Sequence, residues 1–412
     1  MFDRWYGRRL AAALGKPFVH LVFGARQTGK STLIRSLLPA SSTIVDLSSP
    51  AERSQHLASP ADFVRLCEAL PAGRSVFVDE VQTVPSIFDA VQHLYDRDKR
   101  RLRFVLCGSS ARKLRATGAN LLPGRSFLHR LFPLTLVERP APVPAGESAR
   151  LPVELPTLPA MPQDARLFPA ADLEERLAYG DLPGVVTAAA EDRAELLRAY
   201  ATVYLEEEIR REALVKDWGA FVRFLRLAAA ESGKLVNYAA VSREAGISQP
   251  TVKSHYQLLE DMFVGFRAQA YTNSVRKNLL STPKFVFFDL GVRHAAAGLR
   301  PSADIVAVDP GSFIEQWVGI ELWKRLQYLR EGALHHLRTK DGAEIDWVVE
   351  HRGKIIPIEV KWTERPTAAD ARHLVTLCEE KPRQAPHGYV VCRCSRPLRL
   401  HERVTALPWW AL

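Results

Sequence analysis

From residue 18 onward, short continuous apolar runs alternate with segments whose apolar positions recur at helical spacing. Phe18 to Phe23, Ser75 to Val78 and Arg103 to Cys107 are such runs, each bounded by glycine, acids or turn residues. Runs of this kind read as strands buried on both faces, and their alternation with helices predicts a parallel α/β sheet. The pattern breaks at 139–169, which holds eight of the 27 prolines. Proline lacks the backbone donor that a helix interior or a central strand needs, so a linker or extended excursion is expected there. Residues 172 to 262 read as mostly helical, and from about 311 strands return. Four segments follow: an α/β unit over 1–138, a Pro-rich linker over 139–169, a helical region over 170–300 and a second α/β unit over 301–412. No internal repeat is visible.

Near the C-terminus, EIDWVVEHRGKIIPIEVKW (344–362) alternates as two strands joined at Arg352-Gly353. A two-residue connection sets His351 opposite Lys354, and the same register sets Asp346 opposite Glu359 and Glu344 opposite Lys361. These four charged side chains are then expected on one face. Ile345, Trp347 and Val349 are expected on the other, with Ile356, Ile358 and Val360. Two carboxylates facing each other across a ladder repel, which a bound divalent cation would relieve. Asp346 and Glu359 with Lys361 alongside therefore suit hydrolysis of a phosphodiester with Mg²⁺ or Mn²⁺, Lys361 orienting water or stabilising charge. The competing reading is a solvated sheet face with balanced charges.

The first strand leads into Gly24-Ala25-Arg26-Gln27-Thr28-Gly29-Lys30-Ser31, followed by a helix from Thr32 to Leu38. This is a P-loop in its required setting. Glycines let the backbone wrap phosphates, Lys30 reaches the β/γ oxygens of ATP and Ser31 ligates Mg²⁺. The apolar run Ser75 to Val78 ends in Asp79 and Glu80, a pair suited to holding Mg²⁺ and polarising water respectively. The third run reaches Gly108-Ser109-Ser110, where Ser109 is placed to sense the γ-phosphate; the alternative is a helix cap for Ala111 onward.

GARQTGKST, FVDEVQ, VLCGSSARKL and LLPGRSFLHRLFPLTLVE together resemble an AAA+-type ATPase family that carries a C-terminal region of unknown function. The resemblance extends through YGDLPGVV and YLEEEIRR to the terminal hairpin. It implies that Arg125 in LLPGR is an arginine finger offered to a neighbouring subunit, hence a ring-forming homo-oligomer; a surface arginine paired with an acid is the alternative. A C-terminal sensor arginine is not evident, which is a departure from AAA+ proteins in general. Asp346 followed by Glu359-Val360-Lys361 resembles the signature of the restriction-endonuclease-like nuclease fold. That likeness implies an acidic metal ligand from the preceding helix, within GSFIEQWVGIELWKRL, for which Glu315 is the choice and Glu321 the alternative.

LVNYAAVSREAGISQPTVKSHYQLLE (235–260) matches a helix-turn-helix, with Gly246 in the turn, Ser248 as cap and Pro250 in the first turn of the second helix. Gln249, Thr251, Lys253, Ser254 and His255 are the expected exposed face, with Arg243, Arg267, Arg276 and Lys277 as flanking phosphate contacts. The same unit also serves elsewhere as a protein–protein spacer. A net charge of +10 suits a polyanionic partner, and DNA bound without sequence preference is expected. Five cysteines lack zinc-site spacing and read as reduced thiols. No apolar run reaches the roughly 18 residues that span a bilayer, so a cytoplasmic protein without a membrane partner is expected. The whole is read as an α/β ATPase with a winged-helix-like middle region and a nuclease-like C-terminal unit.

Overall fold

The computed structural model describes residues 2–109, 122–142, 155–205, 209–210, 215, 217–272, 282–338 and 343–412. Ser110, the helix from Ala111, half of YLEEEIRR, Arg276 and Lys277 lie outside the described residues. Two compact units emerge. The first comprises Asp3–Phe132 with Leu258–Val264, and the second Met1–Phe2, Pro133–Gln257 and Gly265–Leu412.

The first unit is built on β1 (Val19–Phe23), β2 (Thr43–Asp46), β3 (Arg74–Asp79), β4 (Leu102–Gly108) and β5 (Ser126–Arg130). They form a wholly parallel sheet in the order β2-β3-β4-β1-β5. β1 is buried along its whole length, which its unbroken apolar run requires. The helix Ser86–Arg97 turns Ile87, Phe88, Val91, Leu94 and Tyr95 inward, the three-to-four spacing of one helical face. With Val19, Leu21, Phe23, Val76 and Val78 these make a continuous core, in which each large side chain contributes about 1.5–3 kcal/mol. His20 on β1 is buried and hydrogen-bonded at 3.1 Å to His129 on β5, which Tyr6 approaches at 2.9 Å. Burial holds the His20 imidazole below its ordinary pKa.

The second unit contains one mixed eight-stranded sheet, in the order β12-β13-β11-β10-β9-β8-β6-β7. Its strands are β6 (Gly265–Ala270), β7 (Lys284–Phe287), β8 (Ala333–Arg338), β9 (Glu344–His351), β10 (Lys354–Val360), β11 (Gly388–Cys392), β12 (Leu398–His401) and β13 (Val404–Pro408). β6 and β7 follow the helices Trp218–Ala230, Tyr238–Ala245 and Gln249–Asp261, and β6 pairs in parallel with β8. Segments 170–300 and 301–412 thus share a sheet. The helix Pro310–Leu329 packs on one face with Trp347, Val349, Ile356 and Ile358, and Arg372–Glu380 packs on the other with Val348 and Ile355. The described part of 139–169 has neither helix nor strand, yet Ala141, Leu155 and Phe168 are buried in the cores of this unit.

The hairpin has the expected register from Lys354↔His351 to Ile358↔Trp347. Its faces differ from expectation above that point. β9 pairs His335 with Val348 but Leu337 with Ile345, so Asp346 and Trp347 together oppose the single residue His336. This β-bulge shifts the alternation by one, and Ile345 joins the core of Val348 and Ile355 instead of that of Trp347.

Beneath the Pro310–Leu329 helix lies a buried ionic network. Asp181 accepts from Arg176 at 2.9 Å and Arg139 at 3.1 Å, while Glu321 accepts from Arg325 at 2.9 Å and pairs with Lys324 at 3.0 Å. Burial pushes the Glu321 carboxyl up, but Lys324, Arg325 and the Leu136 amide outweigh it and hold the group down to about 2. Gly180 makes this packing feasible, because a Cβ there would stand 2.1 Å from Asp289 Oδ1. All five cysteines are buried and free, and no described helix is long and apolar enough to cross a membrane.

Removal of one partner from a buried pair leaves the others uncompensated. Asp181→Ala, which takes from Arg176 its carboxylate partner and leaves Arg139 with Glu175, should destabilise the second unit by about 3–5 kcal/mol. Chemical denaturation of both proteins measures this; a loss within the usual surface range would show that the two arginines find other partners.

Candidate functional site

The P-loop leaves β1 at a backbone crossing. Leu131 N–H donates to the Phe23 carbonyl at 2.9 Å, and a Cβ on Gly24 would lie 2.2 Å from the Leu131 carbonyl oxygen. Only glycine fits there. Gln27 and Gly29 both take left-handed φ values, 59° and 86°, which curl the loop back toward the helix Lys30–Leu37. Lys30 is buried and donates at 2.8 Å to both the Gly24 and the Ala25 carbonyls. Thr28 Oγ1 donates to the Ala25 carbonyl at 2.9 Å, Arg26 is half-buried, and Thr32 is exposed on the first helical turn. The motif did not reveal Arg4, which is buried and binds the carbonyls of Thr28 and Phe132. Its only sequence signal is an arginine in the first, apolar-patterned segment.

Ser31 Oγ donates to Asp79 Oδ1 at 2.9 Å, so the two residues expected to share Mg²⁺ meet. Both are oxygen donors of the kind Mg²⁺ takes. Arg35 approaches the other Asp79 oxygen at 3.8 Å. Glu80 follows with φ 54°, a left-handed conformation rare for a side-chain-bearing residue, which turns it off the strand axis. Ser109 is buried and accepts from Gln82 Nε2 at 2.9 Å, and the same nitrogen donates to Glu80 Oε2 at 2.5 Å. Gln82 was not singled out by sequence reasoning, although it stands in the FVDEVQ stretch. Arg125 is held by Asp96 at 2.6 Å, at the edge of the sheet where β5 begins. β1 and β5 run parallel from Val19↔Ser126 to Phe23↔Arg130, so the P-loop lies at the opposite end of these two strands, about 13 Å of strand away.

In the second unit a carboxylate cluster forms where β9 and β10 part. Glu315, Asp346 and Glu359 interact electrostatically, and Lys361 donates to Glu359 at 2.7 Å. Burial, then Asp346, pushes both Glu315 and Glu359 well above the ordinary carboxylate range, and burial raises Asp346 too. Trp347 positions Glu315: its ring lies where a Cβ on Gly319 would intrude at 2.3 Å, and its Nε1 donates to the Glu315 carbonyl at 2.9 Å. Glu344 instead faces Arg338 at 3.8 Å, so its expected pairing with Lys361 is not formed. Glu321 lies in the ionic network and has no place here.

Sequence reasoning missed Lys284, a buried lysine heading the apolar run of β7 that donates to Glu315 Oε1 at 2.7 Å. The oxygens suit a hard cation, and Glu359 Oε2 is buried without a partner. Lysines nevertheless take Glu315 Oε1 and Glu359 Oε1, and Asp346 Oδ2 accepts from the Val360 amide at 2.8 Å. Among the described residues no three acids, histidines or cysteines are placed to hold a metal ion. In the structure, lysines hold one oxygen of each of the two glutamates.

The helix-turn-helix has its expected form, with Gly246 at φ 72° ending the first helix and Ser248 Oγ accepting from the Thr251 amide at 3.3 Å. Gln249, Lys253 and Ser254 are exposed and Thr251 is half-buried. His255 departs from expectation: it is buried against Phe221 and Phe224 and faces the core. Arg243 is exposed, and Arg267 is bound to Gln257.

Residues 16–139 match the family model described as an AAA domain, while 170–303 and 310–412 match models described as Domain of unknown function (DUF8612) and Domain of unknown function (DUF4143). The parallel sheet and P-loop agree with the first match, and this part of the chain is an AAA-type ATPase domain. Uncharacterized proteins of Mycobacterium bovis and Mycobacterium tuberculosis are each 27% identical over 365 residues, covering 87% of this chain and 74% of the relative. One of Haemophilus influenzae is 25% identical over 362 residues, covering 83% and 82%. The Holliday junction branch migration motor RuvB of Thermotoga maritima aligns with 15% identity over 68% of this chain and 95% of its own, at a TM-score of 0.28. A protein of Vibrio cholerae aligns with 14% identity over 92% and 90%, at a TM-score of 0.17. At those scores neither structure bears on the fold.

The crossing at Gly24 gives a direct test. Gly24→Ala must displace the loop from Leu131, so nucleotide affinity should fall at least about tenfold while the sheet stays folded. Titration with a fluorescent ATP analogue measures it, and unchanged affinity would mean that the loop accommodates the Cβ.

Proposed function

We propose that this chain is an ATP-hydrolysing, DNA-binding motor or remodeller that works as a homo-oligomer. The observation that carries ATP hydrolysis is the contact of Ser31 with Asp79 at 2.9 Å, with Glu80 next in the chain. Lys30 would exchange the neutral carbonyls of Gly24 and Ala25 for β/γ-phosphate oxygens, since bonds to charged acceptors are stronger. Ser31 and Asp79 would hold Mg²⁺, which neutralises phosphate charge when bound. Glu80 would orient and polarise the attacking water, and Ser109 would donate to the γ-phosphate. Arg125 is too far from its own P-loop, so a role at phosphate requires a second copy of the chain and release from Asp96.

For DNA, support comes from the net charge of +10 and from the exposed Arg243, Gln249, Lys253 and Ser254 on the helix pair. The carboxylate cluster with Lys361 supports a nuclease-like ancestry for the second unit. Cutting with Mg²⁺ or Mn²⁺ would first require Lys284 and Lys361 to surrender glutamate oxygens. Gripping DNA needs no such rearrangement.

Lys30→Ala should abolish ATP turnover and Glu80→Gln should retain bound ATP, while the wild-type rate should rise with DNA. Rates without DNA and with single-stranded, duplex and branched DNA decide the matter. Steady turnover in either variant would sink the assignment, and slow turnover indifferent to DNA would mark a nucleotide-dependent switch.

The second unit is tested separately by incubating wild type and Glu359→Ala with the same DNAs and Mn²⁺. DNA should be retained at low salt and lost steeply as salt rises. Cleavage by wild type alone would make the cluster a nuclease site; none by either protein would leave it a gripping element.

A further inference from the structure

We infer that Gln82 is a positioning residue that ties the water-activating carboxylate of Glu80 to Ser109, so that base and γ-phosphate contact act as one hydrogen-bonded unit. This rests on the ATP-hydrolysis reading of the same site. An amide nitrogen carries two hydrogens, and the one in Gln82 gives them to Glu80 Oε2 at 2.5 Å and Ser109 Oγ at 2.9 Å. Swapping the amide's oxygen and nitrogen would set a carbonyl against a carboxylate, so the observed orientation is dictated by charge.

The amide is buried, and its Oε1 has no hydrogen-bond partner. A Cβ on Gly108 would come within 2.4 Å of that oxygen, so the glycine before Ser109 makes room for the side chain. A buried orphan carbonyl is unfavourable, and a residue kept only for packing would be better served by an apolar side chain. The arrangement is explained if the nitrogen is what the site needs. Ser109 accepts from Gln82 at the same hydroxyl that the proposed function aims at the γ-phosphate. Glu80, already turned by its left-handed backbone, has one carboxylate oxygen fixed by Gln82.

The test compares ATP turnover of the full chain as wild type, Gln82→Met, Ser109→Ala and the double variant. Gln82→Met keeps the volume and removes both bonds. It should lower kcat on the order of tenfold and change KM less than about twofold, because the residue acts through Glu80 and does not touch ATP. The double variant should be no slower than the slower single, since both changes break the same unit. Gln82→Asn keeps an amide one methylene too short to span both partners, and should behave like Gln82→Met. Multiplying effects, a kcat equal to or above wild type, or full rescue by Gln82→Asn would each overturn the inference. If wild type and Lys30→Ala are equally inactive, the ATPase reading itself fails.

Discussion

The first unit depends on the close approach of the backbone at Gly24 to the carbonyl of Leu131. Two parallel strands bring it about: β5 lies beside β1, and its continuation past Arg130 caps the end of β1 through the bond from Leu131 to Phe23. The P-loop must therefore start within a van der Waals gap that no side chain fits. Its later turns are constrained in sequence, through Gln27 and Gly29 with φ above zero, until Lys30 begins the helix. The loop is held by strand geometry on one side and by Arg4 on the other, and the bonds of Thr28 and Lys30 to the Gly24 and Ala25 carbonyls close it on itself.

The parts legible in the sequence were those fixed by local rules. Continuous apolar runs predicted β1, β3 and β4 to within a residue or two, and Gly246 with Ser248 marked the turn between two helices. The two-residue connection at Arg352-Gly353 fixed the hairpin register, because pairing counts outward from the turn. What failed was whatever depended on a neighbour distant in sequence. The bulge at Asp346-Trp347 is set by pairing with β8, whose register is invisible from the hairpin itself. His255 reads as a solvent-facing residue of an amphipathic helix, yet Phe221 and Phe224 on another helix enclose it. Glu315 and Glu321 are both acids on one helix, and only their partners distinguish them: Lys284 for one, Lys324 and Arg325 for the other.

The bulge also explains why an acidic cluster survives in a buried place. Without it, Asp346 would alternate away from Trp347. With it, the indole fills the groove above Gly319 while the carboxylate next to it accepts from the Val360 amide. The amide and the lysines oppose the burial that raises all three carboxyls but do not outweigh it.

The P-loop and the carboxylate cluster both have a lysine resting on its own protein's oxygens, and the kind of oxygen separates them. Lys30 donates to two neutral carbonyls at 2.8 Å, whereas Lys284 and Lys361 each donate to a carboxylate at 2.7 Å. A hydrogen bond between a charged donor and a neutral acceptor yields readily to an ionised phosphate oxygen, because the new acceptor carries charge and the old carbonyl returns to water or a backbone donor. Replacing a buried ammonium–carboxylate contact instead leaves a carboxylate uncompensated, a cost of about 3–5 kcal/mol for removing one partner of a buried pair. The same ligand class should therefore enter the P-loop directly and reach the carboxylate cluster only if something else, a cation or a proton, takes the lysine's place. The two units consequently differ, one with a lysine resting on neutral carbonyls and the other with lysines bound to buried carboxylates.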